Sequence, residues 1–343
     1  MRLKRYKLNK GDTIAVLAPS SGKAAEFPNV YKKGIKNLEE VFGLKVKEYR
    51  TAKMNDQELY NNPRIRAEDI NSAFDDAEVR GIITTIGGDD SVRILPFLDK
   101  NIIRNNPKLF MGYSDATIVL TYLNQLGLAS FHGPSVMAGF AQTKNLPHSF
   151  QDHVNKFLFS DFGELEYKSY EAFCDGYKDW NAPETSGEIS ILQKNHGWNW
   201  INGKDDATGE LFGGCIEALE FLKSTIYWPK ENFWNNKVLF LETSEEKPTI
   251  NQVKYMLRNY GTQGIFRKIS ALFFGRAIFY SNEEKVELEK MIFDVVVEEF
   301  GAKELPLVTN MDFGHTDPQF ILPLGVRIDV SISNKSVMLN ATE

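Results

Sequence analysis

The sequence predicts an α/β protein whose first half folds around a parallel sheet with helices on both faces. Short apolar runs bounded by turn residues alternate with longer stretches of helical spacing as far as Gly139. Strands separated by helices pair in parallel, because each crossover returns the chain to the same end of the sheet. The chain is also 343 residues long, above the usual size of a single core, so two domains are expected.

The elements follow in order. "TIAVLAP" reads as a buried strand, and Tyr31 to Phe42 as a helix that stops at Gly43. "LKVKEYR" is a second strand. The helical spacing from Ile65 to Asp76 leads into "RGIITTIGG", a third strand rich in β-branched residues. "PKLFMGYS" is the fourth, followed by a helix from Asp115 to Leu126 and a fifth strand, "LASFHGP". In such sheets ligands bind beyond the C-terminal ends of the strands. That rule singles out the loops "APSSG", "IGGDD" and "GYSDA".

Periodicity weakens after Gly139, and residues 141–185 mix polar, aromatic and turn residues in the manner of a connecting segment. A second region runs from about Gly187 to the end. It holds the apolar pieces "GELFGGCIEALEFL", "KVLFLET", "ISALFFGRAIF" and "LPLVTNMDFGH", with a helix expected from Lys285 to Phe300. The boundaries we expect are 1–165, 166–186 and 187–343.

Composition excludes several classes. A net charge of -6 argues against a nucleic-acid polymer as partner, since phosphate contacts need clustered Lys and Arg. Two cysteines, Cys174 and Cys215, are too few for a disulfide framework and lack zinc-site spacing. No stretch is long enough for a signal-peptide core or a membrane span, so a cytoplasmic protein with no membrane partner is expected.

"MGYSDA" sets a serine between a strand end and a helix start, with Gly112 and Ala116 two residues to either side. This fits a nucleophile elbow, where a sharp turn demands small neighbours and the helix start aims N–H groups at developing negative charge. Ser and Asp ahead of an apolar run are also ordinary N-caps. On this stretch alone both readings stand.

A serine nucleophile needs a base. Of the five histidines, His148 and His153 lie in polar sequence and are expected to face water. His196 reads as a structural contact beside tryptophans, and His132 as a buried ring with its polar atoms satisfied. His315, in "DFGHTDP", follows an apolar strand and sits among Gly314, Asp317 and Pro318, a loop tip on which a scaffold can present it. Glu242 ends the otherwise apolar run "KVLFLE", where an unpaired charge is costly, and so can orient the base; a strand-end glutamate facing water is the other reading. In "IGGDD", Gly88 permits close backbone approach and can supply an oxyanion N–H together with Asp115. A plain strand-to-helix turn remains open there.

Together "TIAVLAPSSG", "IGGDDSVRILPFLD", "MGYSDATIVL", "FHGPS", "GELFGGCIEALEFL", "LFLETSE" and "DFGHTDPQFILPLGV" resemble the LD-carboxypeptidase family of serine peptidases, in the order Ser, Glu, His and over nearly the whole chain. The resemblance implies a flavodoxin- or Rossmann-like N-terminal domain and a β-rich α/β C-terminal domain. It also implies a cytoplasmic amide hydrolase without cofactor or metal, acting as a homodimer. Ser114 matches the nucleophile, Glu242 the orienting acid and His315 the base. The N–H groups of Gly88 and Asp115 match the oxyanion hole, and Asp89 beside them falls in the substrate site.

Within that family, enzymes that recycle murein tetrapeptide typically carry "LED" and then an Asp-Arg pair. Here "LETSEEKP" and Val253-Lys254 stand in those places. "LETSE", "DWNAPE" and "GWNWING" instead resemble the microcin C self-immunity branch, whose members cut an amide between an aspartyl group and a modified nucleotide. By that resemblance Trp180 stacks on the substrate, with interdomain packing as its other reading, while Trp198 and Trp200 serve packing. The substrate expected is therefore an aminoacyl-nucleotide or, as the alternative, a small murein peptide. A non-catalytic nucleotide or peptide binder, with Ser114 only a helix cap, is the reading from another class.

Overall fold

The computed structural model describes residues 3–341. Two mixed sheets organise the chain. The first runs in the order Leu322–Leu324, Ser130–His132, Leu109–Gly112, Val79–Thr84, Thr13–Leu17, Lys45–Glu48. Its five N-terminal strands are parallel. These are the five strands expected from sequence, four of them trimmed and the third beginning one residue earlier, at Val79, and ending sooner, at Thr84. All but the edge strand Lys45–Glu48 are almost wholly buried, as strands covered on both faces must be. Helices Pro28–Glu40, Pro63–Asp75 and Thr117–Gln125 form the crossovers.

The second sheet has eight strands, ordered Glu164–Tyr167, Ser336–Asn340, Arg327–Ser331, Ala207–Cys215, Lys237–Glu242, Ala271–Gly275, Leu307–Met311, Asn199–Asn202. Its four central strands, from Ala207–Cys215 to Leu307–Met311, are parallel and the flanking ones antiparallel. The β-rich α/β character expected of the second half is present.

Segment 141–185 is more regular than its composition suggests. It contains the helix His148–Phe159 and the strand Glu164–Tyr167. Phe150, Val154, Phe157 and Leu158 bury one helix face at i, i+4, i+7 and i+8, and interspersed polar residues mask that spacing in the sequence. The helix expected at Lys285 begins earlier, at Asn282. Ser281 caps it, and Glu284 returns the bond in a capping box.

The sheets exchange chain across the expected boundaries. Position 165 falls within a strand of the second sheet. Conversely, Leu322–Leu324 crosses to the first sheet and pairs antiparallel with Ser130–His132, Leu322 opposite His132. The loop just before it carries His315, so this pairing ties that loop to the first sheet. Helix Thr117–Gln125 completes the joint, with Thr117 Oγ1 accepting the Cys215 N–H at 3.1 Å in the interior. Among the described residues no helix is long and apolar enough to cross a membrane.

Candidate active site

Ser114 follows the strand Leu109–Gly112 and opens a 3-10 turn, Ser114–Ala116, that runs into helix Thr117–Gln125. Its φ of 59° lies in the left-handed region, a strained state for a residue with a side chain and one concentrated at functional sites. The sharp turn depends on small neighbours. A Cβ on Gly112 would sit 3.0 Å from Ala116 Cβ and overlap Thr84 Oγ1, and a Cβ on Gly87 would lie 2.6 Å from Ser114 Cβ. Ser114 itself is half-buried.

Glu242 is the last residue of the strand Lys237–Glu242 and is fully buried. Its Oε2 lies 2.7 Å from His315 Nδ1. Burial pushes the Glu242 carboxyl up, but the imidazoles of His315 and His132 outweigh it and bring it down to about 2. Burial likewise pushes His315 down, and the charges of Glu242 and Glu245 carry it up to about 10. The imidazole packs edge-on against Tyr113, the residue before the serine, with ring centroids 4.8 Å apart. The structure thus brings the strand-end acid, the loop histidine and the elbow into one place. No hydrogen bond joins Ser114 to His315. Instead His315 Nε2 lies 3.1 Å from Glu245 Oε2 as an ion pair, without hydrogen-bond geometry.

Asp115 turns its carboxylate inward. One oxygen accepts from Ser20 Oγ at 2.5 Å, Ser91 N–H at 2.8 Å and Asp90 N–H at 3.1 Å. One buried side chain therefore pins "APSSG" and "IGGDD" to the elbow, although burial still raises its pKa. The backbone N–H groups of Gly88 and Asp115 have no acceptor among the described residues. Gly88 adopts φ 149°. The acidic pair after it divides in role: Asp90 ion-pairs with the fully buried Arg66 at 2.9 Å and with Arg93 at 3.0 Å, while Asp89 is exposed.

Trp180 lies half-buried between Tyr177, which it stacks on at 5.5 Å, and the edge of Phe27. Tyr177 OH donates to Asp317 Oδ2 at 2.5 Å, and Cys174 and Asp317 exchange backbone hydrogen bonds. The connecting segment is thereby laced to the loop of His315. Trp198 packs edge-on against Phe320 and donates to Asp312 at 2.7 Å, while Trp200 packs against the core.

Two histidine expectations are corrected. His153 is only half-exposed, because its helix turns the ring among Phe157, Tyr167, Tyr170 and Phe320. It accepts the Ile321 N–H at 2.9 Å, and burial lowers its pKa to about 3. His132 is buried as expected, but among the described residues neither ring nitrogen has a hydrogen-bond partner. Its Nε2 lies 3.8 Å from Glu242 Oε1. Sequence reading also missed Glu245; an acid three residues beyond a strand-end acid was its only signal.

Comparison with known proteins agrees with this architecture. The LD-carboxypeptidase N-terminal domain model matches residues 14–133 and the C-terminal domain model residues 208–330. A putative carboxypeptidase of Vibrio cholerae is 30% identical over 97% of this chain and 96% of its own length. The chain belongs to the LD-carboxypeptidase family. Like the carboxypeptidases of that family it is a hydrolase. The microcin C7 self-immunity protein MccF of Escherichia coli is 26% identical over 96% of this chain and 93% of its own. A probable murein peptide carboxypeptidase of Bacillus subtilis is 27% identical over 99% and 95%. The structure of MccF in complex with aspartyl sulfamoyl adenosine superposes with a TM-score of 0.86 at 26% identity, covering 98% of both chains.

Proposed function

We propose that this LD-carboxypeptidase hydrolyses a small amide by acyl transfer through Ser114, with His315 as base and Glu242 as orienting acid. The observation that carries the reading is the 2.7 Å contact of the buried Glu242 with His315 Nδ1, beside a serine strained at φ 59°. Glu242 holds the imidazole so that Nε2 faces the elbow. His315 then takes the Ser114 proton as the hydroxyl oxygen attacks the carbonyl carbon. The unclaimed Gly88 and Asp115 N–H groups receive the oxyanion. His315 returns the proton to the leaving nitrogen, and water repeats the sequence on the acyl-enzyme. The Ser114–His315 hydrogen bond forms only as Glu245 yields Nε2, in keeping with the looser geometry of unliganded sites.

The substrate in this reading is an amide joining an aspartyl or other aminoacyl group to a modified nucleotide. Support comes from the likeness to MccF bound to aspartyl sulfamoyl adenosine, and from "LETSEEKP" and Val253-Lys254 standing where murein-recycling enzymes differ. Trp180, flanked by Tyr177 and Phe27, offers an aromatic face for a base, and Asp89 beside Gly88 offers an exposed carboxylate to the substrate. Cleavage of a murein tetrapeptide is the second reading, favoured by the Bacillus subtilis relative. A paired assay of the purified protein on aspartyl sulfamoyl adenosine and on an LD-linked muropeptide decides between them. Turnover of the first alone is expected, and turnover of the muropeptide alone overturns the substrate assignment.

A further inference from the structure

His132 and Glu242 come from different sheets and different halves of the chain, and both are fully buried. Among the described residues neither nitrogen of His132 nor the Oε1 of Glu242 has a hydrogen-bond partner, yet His132 Nε2 and Glu242 Oε1 face each other across 3.8 Å. The rings of Tyr113, Phe240 and Phe313 pack edge-on around the imidazole, at 6.2, 5.3 and 6.3 Å. A buried polar atom left alone is costly. Two such atoms aimed at each other within an aromatic pocket relieve the cost by pairing.

We propose that His132 is a positioning residue that fixes the Glu242 carboxylate from the side opposite His315. The inference rests on the triad reading above. Facing a carboxylate, which only accepts, Nε2 carries the proton. Glu242 is then held between two imidazoles, Oε2 on His315 and Oε1 toward His132. Rotation of the carboxylate away from His315 also removes Oε1 from His132, so the second ring narrows the orientations of the acid. The other ionisable groups acting on Glu242 or His315 are Tyr113, Glu217, Cys215, Glu245 and Asp317. Among the described residues none of these five hydrogen-bonds to Oε1. The strand pairing places His132 directly: it lies opposite Gly112 on one side, two residues before the serine, and opposite Leu322 on the other. The first sheet thereby sets the acid supplied by the second.

The test uses the full chain and the variants His132→Phe and His132→Gln. Phe fits the aromatic pocket but donates nothing, whereas Gln restores an N–H donor. With aspartyl sulfamoyl adenosine or the muropeptide, whichever wild type cleaves, His132→Phe is expected to lower kcat roughly 10- to 100-fold, the usual cost of losing a group that orients a site residue. KM should stay within about twofold, and His132→Gln should recover most of the loss. In 15N-histidine NMR titrations the His315 midpoint should fall in His132→Phe and return in His132→Gln, because a loosened Glu242 supports the imidazolium less. The NMR readout needs no turnover, so it stands even if Ser114→Ala remains active and the triad reading fails. A folded His132→Phe with unchanged kcat and unchanged His315 titration overturns the proposal, as does equal loss in both variants. Should His132→Phe not fold, His132→Met carries the same expectations.

Discussion

The Glu245 carboxylate stands 3.1 Å from His315 Nε2 while Glu242 holds Nδ1 at 2.7 Å, so both nitrogens of the imidazole face an acid. The two acids differ in setting. Glu242 is fully buried, whereas the Glu245 side chain is 60% exposed and free to swing into solvent. The first can orient the ring permanently; in the proposed mechanism the second competes with Ser114 for the same nitrogen.

That competition gives a pH prediction. Burial lowers the His315 pKa, and Glu242 with Glu245 raises it to about 10. A base must be neutral to accept the serine proton, so activity rises as pH climbs through this pKa. Removing the Glu245 charge destabilises the imidazolium and lowers the pKa. Glu245→Gln should therefore move the acid limb of the kcat/KM profile to lower pH, and a limb that stays put or moves up contradicts the contact.

Ser114→Ala is expected to fold normally and to lose several orders of magnitude in kcat, as enzymes lacking a triad member do. Glu242→Gln keeps the side-chain shape but removes the charge that supports the imidazolium. It should slow acylation by roughly two to four orders of magnitude. Single-turnover kinetics on the cleaved substrate measure both, and wild-type rates in either variant exclude that residue.

Gly87→Ala tests the elbow without replacing any residue of the proposed triad. The added Cβ would lie 2.6 Å from Ser114 Cβ and 2.7 Å from its Oγ, so the serine must shift. A displacement of about 1 Å can cost on the order of a hundredfold. The expected result is a folded protein with kcat reduced by about that factor; undiminished kcat places the nucleophile elsewhere.

Arg276 and Asp312 form an ion pair at 2.7 Å with both side chains fully buried. Asp312 also accepts from Trp198 and Asn195, anchoring the loop of His315. Arg276→Met leaves Asp312 short of its countercharge, and breaking a buried pair from one side costs about 3–5 kcal/mol. Urea unfolding should show this loss, with partial recovery in Arg276→Met/Asp312→Asn. An unchanged midpoint would mean that the pair adds nothing.

Much of the fold was legible because each element carried a local signal. Four of the five parallel strands are apolar runs closed by Gly or Pro, and such runs announce burial on both faces; the edge strand Lys45–Glu48 is polar and exposed. His148–Phe159 was not legible as a helix, since its four buried positions are diluted by polar and aromatic neighbours. In the site, Ser114, Glu242 and His315 stood out by position: a strand-to-helix turn, an acid ending an apolar strand, a histidine on a Gly-Pro loop. Nothing local marks Asp90 as the partner of Arg66, and only folding brings the two together.

The sequence by itself determined the α/β class, the family and the residues that read as nucleophile, acid and base, because these depend on short patterns that survive without partners. Tertiary structure alone decided which side chains surround them. His132 reaches Glu242 because the two sheets meet, and Glu245 reaches His315 from just beyond the end of the strand Lys237–Glu242. Contacts between positions distant in the chain leave no periodicity to read, and burial is what gives them their electrostatic weight.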